Sequence, residues 1–383
     1  MYKEHLYEFP KINDNIFDND NDIQTSKIIN FSKIKYGFST FIHKTKNETE
    51  ILKDKNKKIY YVVNPFEHTI DKSEEDLYHK IPKYFKDIEI INRAFYKLWE
   101  ILMKFDLFPK KSKEAFSSAH LAEGPGSFIQ ATVLFREKFC SINKKDMHYT
   151  VTLKGNIPID KRLDKICNKK LCIHKGDKGD KGDLTEMKTI NNFTKDKSVN
   201  FITADGGFEW KNENYQEQEA YKLLLGEIIT ALKIQKEKGS FVLKIFETYT
   251  DVTIKLIIIL QQFYKQIYIY KPYMSRISNS EKYLVCMNFT KPKNYSKYIK
   301  QLEDILVNYK DYLHDIFTNY NISEKIVKFF IEINKELTTK QVVMISNIVN
   351  YVKENNYFGE KYNKYKDEQL KATEFWLKEF MKK

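Results

Sequence analysis

From residue 87 onward the chain alternates short apolar strands with helices, and this alternation restricts its fold more than any other feature. Helices are predicted over residues 93–105, from about 128, over 218–236 and over 252–264. Strands are predicted at residues 120–122, 149–153, 201–204, 241–246, 267–270 and 283–287. Such alternation specifies a mostly parallel sheet covered by helices on both faces. The fold class is therefore α/β.

The regions on either side of this pattern differ from it in character. Residues 1–85 mix polar loops with one apolar run, and their sequence indicates no function. Residues 86–292 hold the alternating pattern and include a basic, irregular stretch at 154–198. We interpret that stretch as a partly mobile insertion, with a flexible charged loop at 176–182. Gly239 is interpreted as the glycine that ends the helix predicted over 218–236.

Residues 293–383 form a helical C-terminal region. Its apolar stripe is predicted to pack against the sheet, because it is too short for a sustained coiled coil. The stripe consists of Tyr298, Leu302, Ile305, Tyr309, Tyr312 and Ile316. Residues 375–377 are apolar within a basic helix, and we interpret them as part of a docked terminal helix.

The composition favours a polyanionic partner. The 383 residues carry a formal net charge of +13, and lysines that meet phosphates release counterions. The four cysteines are widely spaced, which argues for a reducing compartment. Cys167, Cys172 and His174 lack a fourth ligand at the usual zinc spacing, so no metal is predicted. The start has no apolar signal core, and the run at 256–260 is too short to span a bilayer, so a cytoplasmic protein without membrane contact is expected.

A glycine turn follows the first predicted strand of the alternating pattern. It is the segment Glu123-Gly124-Pro125-Gly126-Ser127-Phe128. Such a turn lets a ligand approach the backbone, and the next helix offers unpaired N–H groups. A dinucleotide or a simple tight bend would fit it equally well. The glycine spacings typical of triphosphate-binding and dinucleotide-binding loops are absent.

Two charged residues lie at positions where a charged side chain is either energetically unfavourable or accessible to a ligand. Lys244 interrupts an apolar strand, which is unfavourable unless the amine is paired or neutral. Asp205 ends another strand at the carboxyl edge of the predicted sheet, where open α/β folds bind their ligands. Both positions indicate a site at that edge.

Six segments occur in an order typical of one enzyme family. They are Asn92-Arg93-Ala94-Phe95-Tyr96-Lys97-Leu98, Gly124-Pro125-Gly126, Thr152-Leu153-Lys154-Gly155, Ala204-Asp205-Gly206-Gly207-Phe208, Gly239-Ser240-Phe241-Val242-Leu243-Lys244-Ile245-Phe246, and Lys271-Pro272 through Ser275-Arg276 with Asn279-Ser280-Glu281-Lys282-Tyr283. The chain over residues 90–290 thus resembles the FtsJ-type ribose 2′-O-methyltransferases, most of all their mRNA cap-methylating branch. Ser127 replaces the second glycine that most relatives have.

The resemblance implies a Rossmann-like domain with a central, mostly parallel, seven-stranded sheet, and S-adenosylmethionine as the methyl donor. It also implies a catalytic tetrad of Lys97, Asp205, Lys244 and Glu281. Lys244 would take the proton of a ribose 2′-hydroxyl. Burial and Lys97 would lower the pKa of Lys244, whereas the two acids would raise it, and the sequence does not decide between them.

The resemblance further implies two sets of binding residues. The donor would contact Glu123, Gly124, Pro125, Gly126, Ser127, Phe128, Thr152, Leu153, Asp183 and Asp205. RNA would contact Arg93, Lys154, Arg276, Ser280 and Lys282. Each of these lysines and arginines, taken alone, also fits an ordinary solvated surface charge.

The predicted reaction is 2′-O-methylation of RNA at the first transcribed nucleotide of capped mRNA. Two alternatives stay open: a non-catalytic RNA-binding or scaffold protein that retains the fold, and an rRNA methyltransferase. The partners expected are the capped 5′ end of mRNA and a capping enzyme. Resemblance to relatives from large DNA viruses predicts a viral protein, located in the host cytoplasm or the virion.

Overall fold

A computed structural model describes residues 2–29, 39–52, 61–67, 88–155, 157–207, 210–354 and 359–381. The strands are β1 (His5–Glu8), β2 (Ile23–Ser26), β3 (Ser117–Leu121), β4 (Met147–Val151), β5 (Leu171–Ile173), β6 (Val199–Ala204), β7 (Gln235–Ile245), β8 (Tyr264–Lys271), β9 (Lys282–Phe289) and β10 (Tyr312–Ile316). The helices are α1 (Ser39–Asn47), α2 (Ala94–Lys104), α3 (Ser127–Phe139), α4 (Arg162–Ile166), α5 (Met187–Thr194), α6 (Gln216–Ile234), α7 (Asp251–Gln261), α8 (Tyr295–Asn308), α9 (Glu324–Lys353) and α10 (Glu360–Phe380).

Eight of these strands form one sheet in the order β1-β8-β9-β7-β6-β3-β4-β5. Strands β5, β4, β3, β6 and β7 run parallel, and β9 runs antiparallel to both of its neighbours. All six predicted strands are present, and the mostly parallel α/β sheet is confirmed. The sheet has eight strands instead of seven because β1 adds an antiparallel edge strand beside β8.

The pleat of the central strands sends alternate residues to opposite helical layers. On β6, Ile202 faces the core formed with α5, α6, α7 and α8, while Phe201 faces the core formed with α2, α3 and α10. On β7, Leu243 faces the first of these cores and Val242 faces the second. Burial on both faces explains why adjacent residues of these strands, such as Phe201 with Ile202 and Val242 with Leu243, are both apolar.

The two terminal regions are built into this fold. Besides the edge strand β1, the N-terminal region supplies β2, which pairs with β10 of the C-terminal region. Ile42 of α1 packs with Val342, Ile345 and Val349 of α9. The described parts of the N-terminal and C-terminal regions therefore pair and pack with each other. The apolar run predicted at 60–63 lies partly outside the described residues.

The stretch at 154–198 is more regular than the sequence predicts. It contains α4, the sheet strand β5 and α5. The charged loop at 176–182 is organised by Asp180, which is buried and accepts hydrogen bonds from Gly182 N, Thr189 Oγ1, Asn192 Nδ2 and His174 Nε2. The prediction of a flexible loop there was wrong, because one buried carboxylate ties both sides of the loop together.

Gly239 does not end a helix. Helix α6 ends at Ile234, and Gly239 lies within β7, where the register between β6 and β7 shifts. A Cβ at position 239 would lie 2.2 Å from Gln235 Nε2. The glycine therefore permits an irregularity in the strand instead of capping the helix.

The apolar stripe of the C-terminal region packs against the sheet as predicted, but it is not entirely helical, because α8 ends at Asn308 and Tyr312 and Ile316 lie on strand β10. Leu302, Ile305 and Ile316 are fully buried in the core on one face of the sheet. Trp376 of α10 is also fully buried, and its Nε1 donates to Glu100 Oε1 of α2 at 2.8 Å. None of the helices in the described residues is both long and apolar enough to cross a membrane.

Candidate active site

The structure brings the four predicted tetrad residues together at the carboxyl edge of the sheet. Lys97 lies on α2, Asp205 follows β6, Lys244 lies near the end of β7, and Glu281 directly precedes β9. They form two ion pairs. Lys97 Nζ lies 2.7 Å from Glu281 Oε1, and Lys244 Nζ lies 3.3 Å from Asp205 Oδ1. The side chains are 11–17 % exposed, so a ligand can reach them.

Neighbouring hydroxyl groups hold both carboxylates in place. Tyr283 OH donates to Asp205 Oδ1 at 3.0 Å, and Ser275 Oγ donates to Glu281 Oε1 at 3.0 Å. Lys244 Nζ also donates to the backbone carbonyl of Asp205 at 2.9 Å. These contacts orient the acids before any substrate arrives.

The electrostatic question that the sequence left open is decided in favour of the acids. Burial favours the neutral amine of Lys244, but Asp205 and Glu281 outweigh it and raise its pKa. Burial acts to raise the pKa of Glu281, yet Lys97 and Lys244 hold it well below its usual value. The lysines and acids of the tetrad thus shift one another's pKa values, and without ligands Lys244 is protonated.

The two glycines after Asp205 have a steric reason. A Cβ at position 206 would lie 2.3 Å from Glu227 Oε1, and one at position 207 would lie 3.3 Å from Lys244 Nζ. The backbone therefore passes between two buried ionisable side chains. Phe208, the next residue of this motif, lies outside the described residues.

The predicted donor loop forms the turn between β3 and α3. Gly126 has a φ of 110°, and α3 begins at Ser127, which is buried. Glu123 Oε1 accepts from Phe128 N at 2.8 Å, whereas Glu123 Oε2 and Ser127 Oγ are buried without a partner among the described residues. The Phe128 ring lies in the core against Tyr283, so only its backbone faces the turn.

The other predicted donor residues adjoin this turn. A Cβ at Gly124 would lie 3.2 Å from Thr152 Oγ1 and 2.4 Å from the carbonyl oxygen of Ile157, so the chain after β4 crosses the turn closely. Leu153 beside Thr152 is 42 % exposed. Asp183 Oδ1 accepts from Thr185 N and Oγ1 at 2.9 and 2.8 Å.

Three of the predicted RNA contacts are engaged within the protein. Lys282 is 4 % exposed and donates to the carbonyls of Phe246 and Ser280. Ser280 Oγ donates to Gln216 Oε1 at 3.1 Å. Lys154 Nζ donates to the carbonyls of the loop that follows β5. In this conformation Lys282 is a buried structural cation and not a phosphate contact, because its amine is already surrounded by backbone oxygens.

The two predicted arginines share one buried acid. Glu67 is 2 % exposed and binds Arg93 Nη1 at 2.6 Å and Arg276 Nε at 2.7 Å. Arg93 also donates to the carbonyl of Met274 at 2.7 Å, which ties α2 to the segment before Glu281. Arg276 retains 25 % exposure and lines a cleft, so it is the better placed of the two for RNA.

That cleft has a volume of about 630 Å³ and is lined in part by Ser278 and Asn279, which lie just before Glu281 in the chain. Its lining includes Trp210, Glu213 and Arg276 from the sheet domain. Glu50 of the N-terminal region and Ile348 of α9 contribute further walls. Sequence reasoning did not identify this cleft, since its walls come from segments far apart in the chain.

Comparison with known proteins assigns the family. The sequence model of the FtsJ-like methyltransferases matches residues 90–289, just over half of the 383 residues. The chain belongs to the FtsJ-like methyltransferase family. The match begins just before α2 and ends with β9, so it spans all four tetrad residues.

Relatives of this FtsJ-like chain include cap-specific mRNA (nucleoside-2′-O-)-methyltransferases. The Caenorhabditis briggsae enzyme 1A is 28 % identical over 281 residues, which are 68 % of this chain and 31 % of that protein. The Trypanosoma cruzi enzyme 1 is 25 % identical over 270 residues, 67 % of this chain and 74 % of that protein. An inactive C. briggsae relative, 1B, is 27 % identical over 281 residues, 68 % of this chain and 32 % of that protein. The chain thus spans about a third of the nematode relatives, and identity alone does not separate active from inactive ones.

Sequence reasoning missed two buried ionisable residues beside the tetrad. Glu227 of α6 is 1 % exposed, and Lys271 at the end of β8 donates to the carbonyls of Glu281 and Asn279 at 2.8 and 2.9 Å. Burial lowers the pKa of Lys271 to about 7. An acid between Gly226 and Ile228, inside an apolar helix, was the available signal for Glu227.

Proposed function

We propose that this FtsJ-like methyltransferase transfers a methyl group from S-adenosylmethionine to the ribose 2′-hydroxyl of the first transcribed nucleotide of capped mRNA. The single observation that carries the proposal is the convergence of Lys97, Asp205, Lys244 and Glu281 as two coupled ion pairs. In the resting site Lys244 is protonated, so it must lose that proton before it can act as a base.

The donor loop fits a polar ligand. Glu123 Oε2 and Ser127 Oγ are buried polar atoms that lack partners among the described residues, and a ligand with hydrogen-bonding groups would satisfy them. Gly124, Gly126 and Asp183 would hold the rest of the donor at the turn. When bound, S-adenosylmethionine supplies a methyl group on a sulfonium that leaves as a neutral thioether.

Lys244 is the base in this proposal. The ribose hydroxyl would lie between the two lysines, where Lys97 donates a hydrogen bond to the oxygen and Lys244 accepts its proton. Asp205 holds Lys244, and Glu281 holds Lys97. The raised pKa of Lys244 means that its neutral form is the minor one at neutral pH, so deprotonation of Lys244 has to precede methyl transfer.

The cleft that Arg276 lines suits the 5′ end of a capped transcript. Trp210 offers an aromatic face for stacking a purine, and the carboxylate of Glu213 can accept hydrogen bonds from a guanine edge. Arg276, oriented by Glu67, presents a guanidinium for phosphate. Aromatic, acidic and basic groups in one cleft are what a cap nucleotide with its phosphates requires.

Replacing Trp210 with alanine is expected to raise KM for capped RNA about 5- to 150-fold, because stacking of one base contributes about 1–3 kcal/mol. The KM for uncapped RNA should change little, and Trp210→Phe should retain most of the preference for capped RNA. Steady-state kinetics with matched capped and uncapped transcripts measure this. Equal losses on both substrates would remove Trp210 from cap recognition.

The proposed function is tested by incubating the protein with labelled donor and either capped or uncapped transcripts, followed by nucleoside analysis. Label on the ribose of the first nucleotide of capped RNA is the expected result. Label on a base would refute the chemistry, and label on internal riboses of uncapped rRNA would favour the rRNA alternative. Donor binding without any transfer would favour the scaffold alternative.

A further inference from the structure

The donor side of the tetrad contains a buried acid that the catalytic scheme does not use. Glu227 projects from α6 toward the turn after β6, where a Cβ on Gly206 would lie 2.3 Å from its Oε1. That oxygen is buried, and among the described residues no side chain donates a hydrogen bond to it. Ala122, at the end of β3 and directly before Glu123, also approaches Gly206. Glu227 thus lies between the tetrad and the donor loop.

The charges around Glu227 explain its resting state. Burial raises the pKa of Glu227 to about 8; Lys244 of β7 opposes this rise, Asp205 adds to it, and a hydrogen bond from Gly206 N opposes it. At neutral pH the carboxyl group therefore holds a proton. Burial and then Asp205 also raise the pKa of Glu123 to about 8.

The net charge of the site relates the proton on Glu227 to donor binding. The two lysines and two acids of the tetrad sum to zero. A donor whose methyl group faces the tetrad brings its sulfonium beside Asp205 and Lys244 and adds one positive charge to a largely buried site. An uncompensated buried charge is costly. Loss of one proton from an adjacent buried acid restores neutrality.

We propose that Glu227 is a donor-linked acid, which releases its proton when the cationic methyl donor binds and so supplies the charge that balances the sulfonium. This inference rests on the proposed function, because it requires S-adenosylmethionine at the glycine turn. Glu227 is favoured over Glu123, because Glu123 is held by two backbone hydrogen bonds, from Phe128 N and Ile129 N, whereas Glu227 accepts one, from Gly206 N. Glu227 acts on the site through charge and touches no reacting atom, so it is a positioning residue.

Calorimetry of S-adenosylmethionine binding at pH 7, in phosphate and in Tris, measures the protons released. The wild-type protein should release protons, and Glu227→Gln should release about one fewer, since a group of pKa about 8 is mostly protonated at pH 7. Glu100→Gln is the matched control. Glu100 is a fully buried acid beside Trp376, with a pKa raised by burial to about 7, and its replacement should leave the proton release unchanged.

Two further measurements keep the proposal testable if Glu227→Gln folds poorly. The wild-type Kd for S-adenosylmethionine should fall about tenfold per pH unit between pH 6 and 8 and level off above, because ionised Glu227 favours the donor. S-adenosylhomocysteine, which lacks the sulfonium charge, should release fewer protons than S-adenosylmethionine. A flat Kd, or equal release with the two ligands, would overturn the inference.

The outcomes separate this inference from the proposed function. If the wild-type protein binds no S-adenosylmethionine, the proposed function fails. If it binds the donor and Glu227→Gln releases as many protons as wild type, only the role of Glu227 fails. Loss of release in Glu123→Gln, with normal release in Glu227→Gln, would overturn the assignment in favour of Glu123.

Discussion

Replacing Lys244 with alanine or with arginine is expected to lower the rate of methyl transfer by about 10²- to 10⁴-fold, the contribution typical of a general base. Arginine keeps a positive charge for Asp205 but cannot give up its proton, so it separates the base from the ion pair. Donor affinity should stay close to that of the wild type. Single-turnover transfer to capped RNA, with calorimetry of donor binding, measures both quantities.

Lys233→Ala is the matched control for these variants. Lys233 is also an ion-paired lysine, 2.6 Å from Glu303 of α8, but it lies in the last turn of α6, where its other partner is Asn191 of α5. Its loss should leave the transfer rate unchanged.

The wild-type rate should rise with pH as the neutral fraction of Lys244 grows, because the pKa of Lys244 is raised in the resting site. A wild-type rate in Lys244→Arg would show that Lys244 is not the base.

Replacing Trp376 with alanine is expected to lower the free energy of unfolding by about 3–5 kcal/mol. The side chain is fully buried against Tyr96 and Phe380, and its N–H binds Glu100. Its removal leaves a cavity between α10 and α2, the helix that carries Lys97. Urea denaturation monitored by far-ultraviolet circular dichroism, a signal dominated by the backbone, measures the change in the free energy of unfolding. A stability equal to that of the wild type would show that α10 is not docked.

Trp376→Phe separates the hydrogen bond from the burial. It keeps an aromatic ring but leaves Glu100 with one donor fewer, which costs about 1–3 kcal/mol. Burial raises the pKa of Glu100 to about 7, and the Trp376 N–H opposes that rise by favouring the ionised form. The loss should therefore be larger at pH 8, where the carboxyl group is ionised, than at pH 5.5. The same loss at both pH values would contradict the assigned role of the N–H.

Most of the sheet could be predicted because its central strands are buried on both faces. The buried parts of β6 and β7, residues 201–204 and 241–243, are short and mostly apolar, whereas the polar first half of β7 was not predicted as a strand. Strand β5 has only three residues, two of them exposed, and its pairing with β4 is not visible in the sequence. Strand β1 pairs with β8 about 260 residues away, so no local pattern announces it.

The convergence of Asp205 and Lys244 could be predicted because the carboxyl ends of parallel strands meet at one edge. Lys97 and Glu281 were predicted only from the resemblance to the FtsJ-type family. The burial and the contacts of individual side chains could not be predicted. Lys282 looks like a surface lysine, yet its amine is buried beside the carbonyl of Phe246, which only the fold brings near. Glu227 looks like an ordinary helix acid, because the approach of Gly206 depends on how α6 packs against β6.

The most direct test of the central claim uses two capped transcripts that differ only in the first nucleotide, which carries either a 2′-hydroxyl or a 2′-hydrogen. If Lys97, Asp205, Lys244 and Glu281 act on a ribose oxygen, labelled methyl should enter the first transcript and not the second. Equal labelling of the 2′-deoxy transcript would contradict the account.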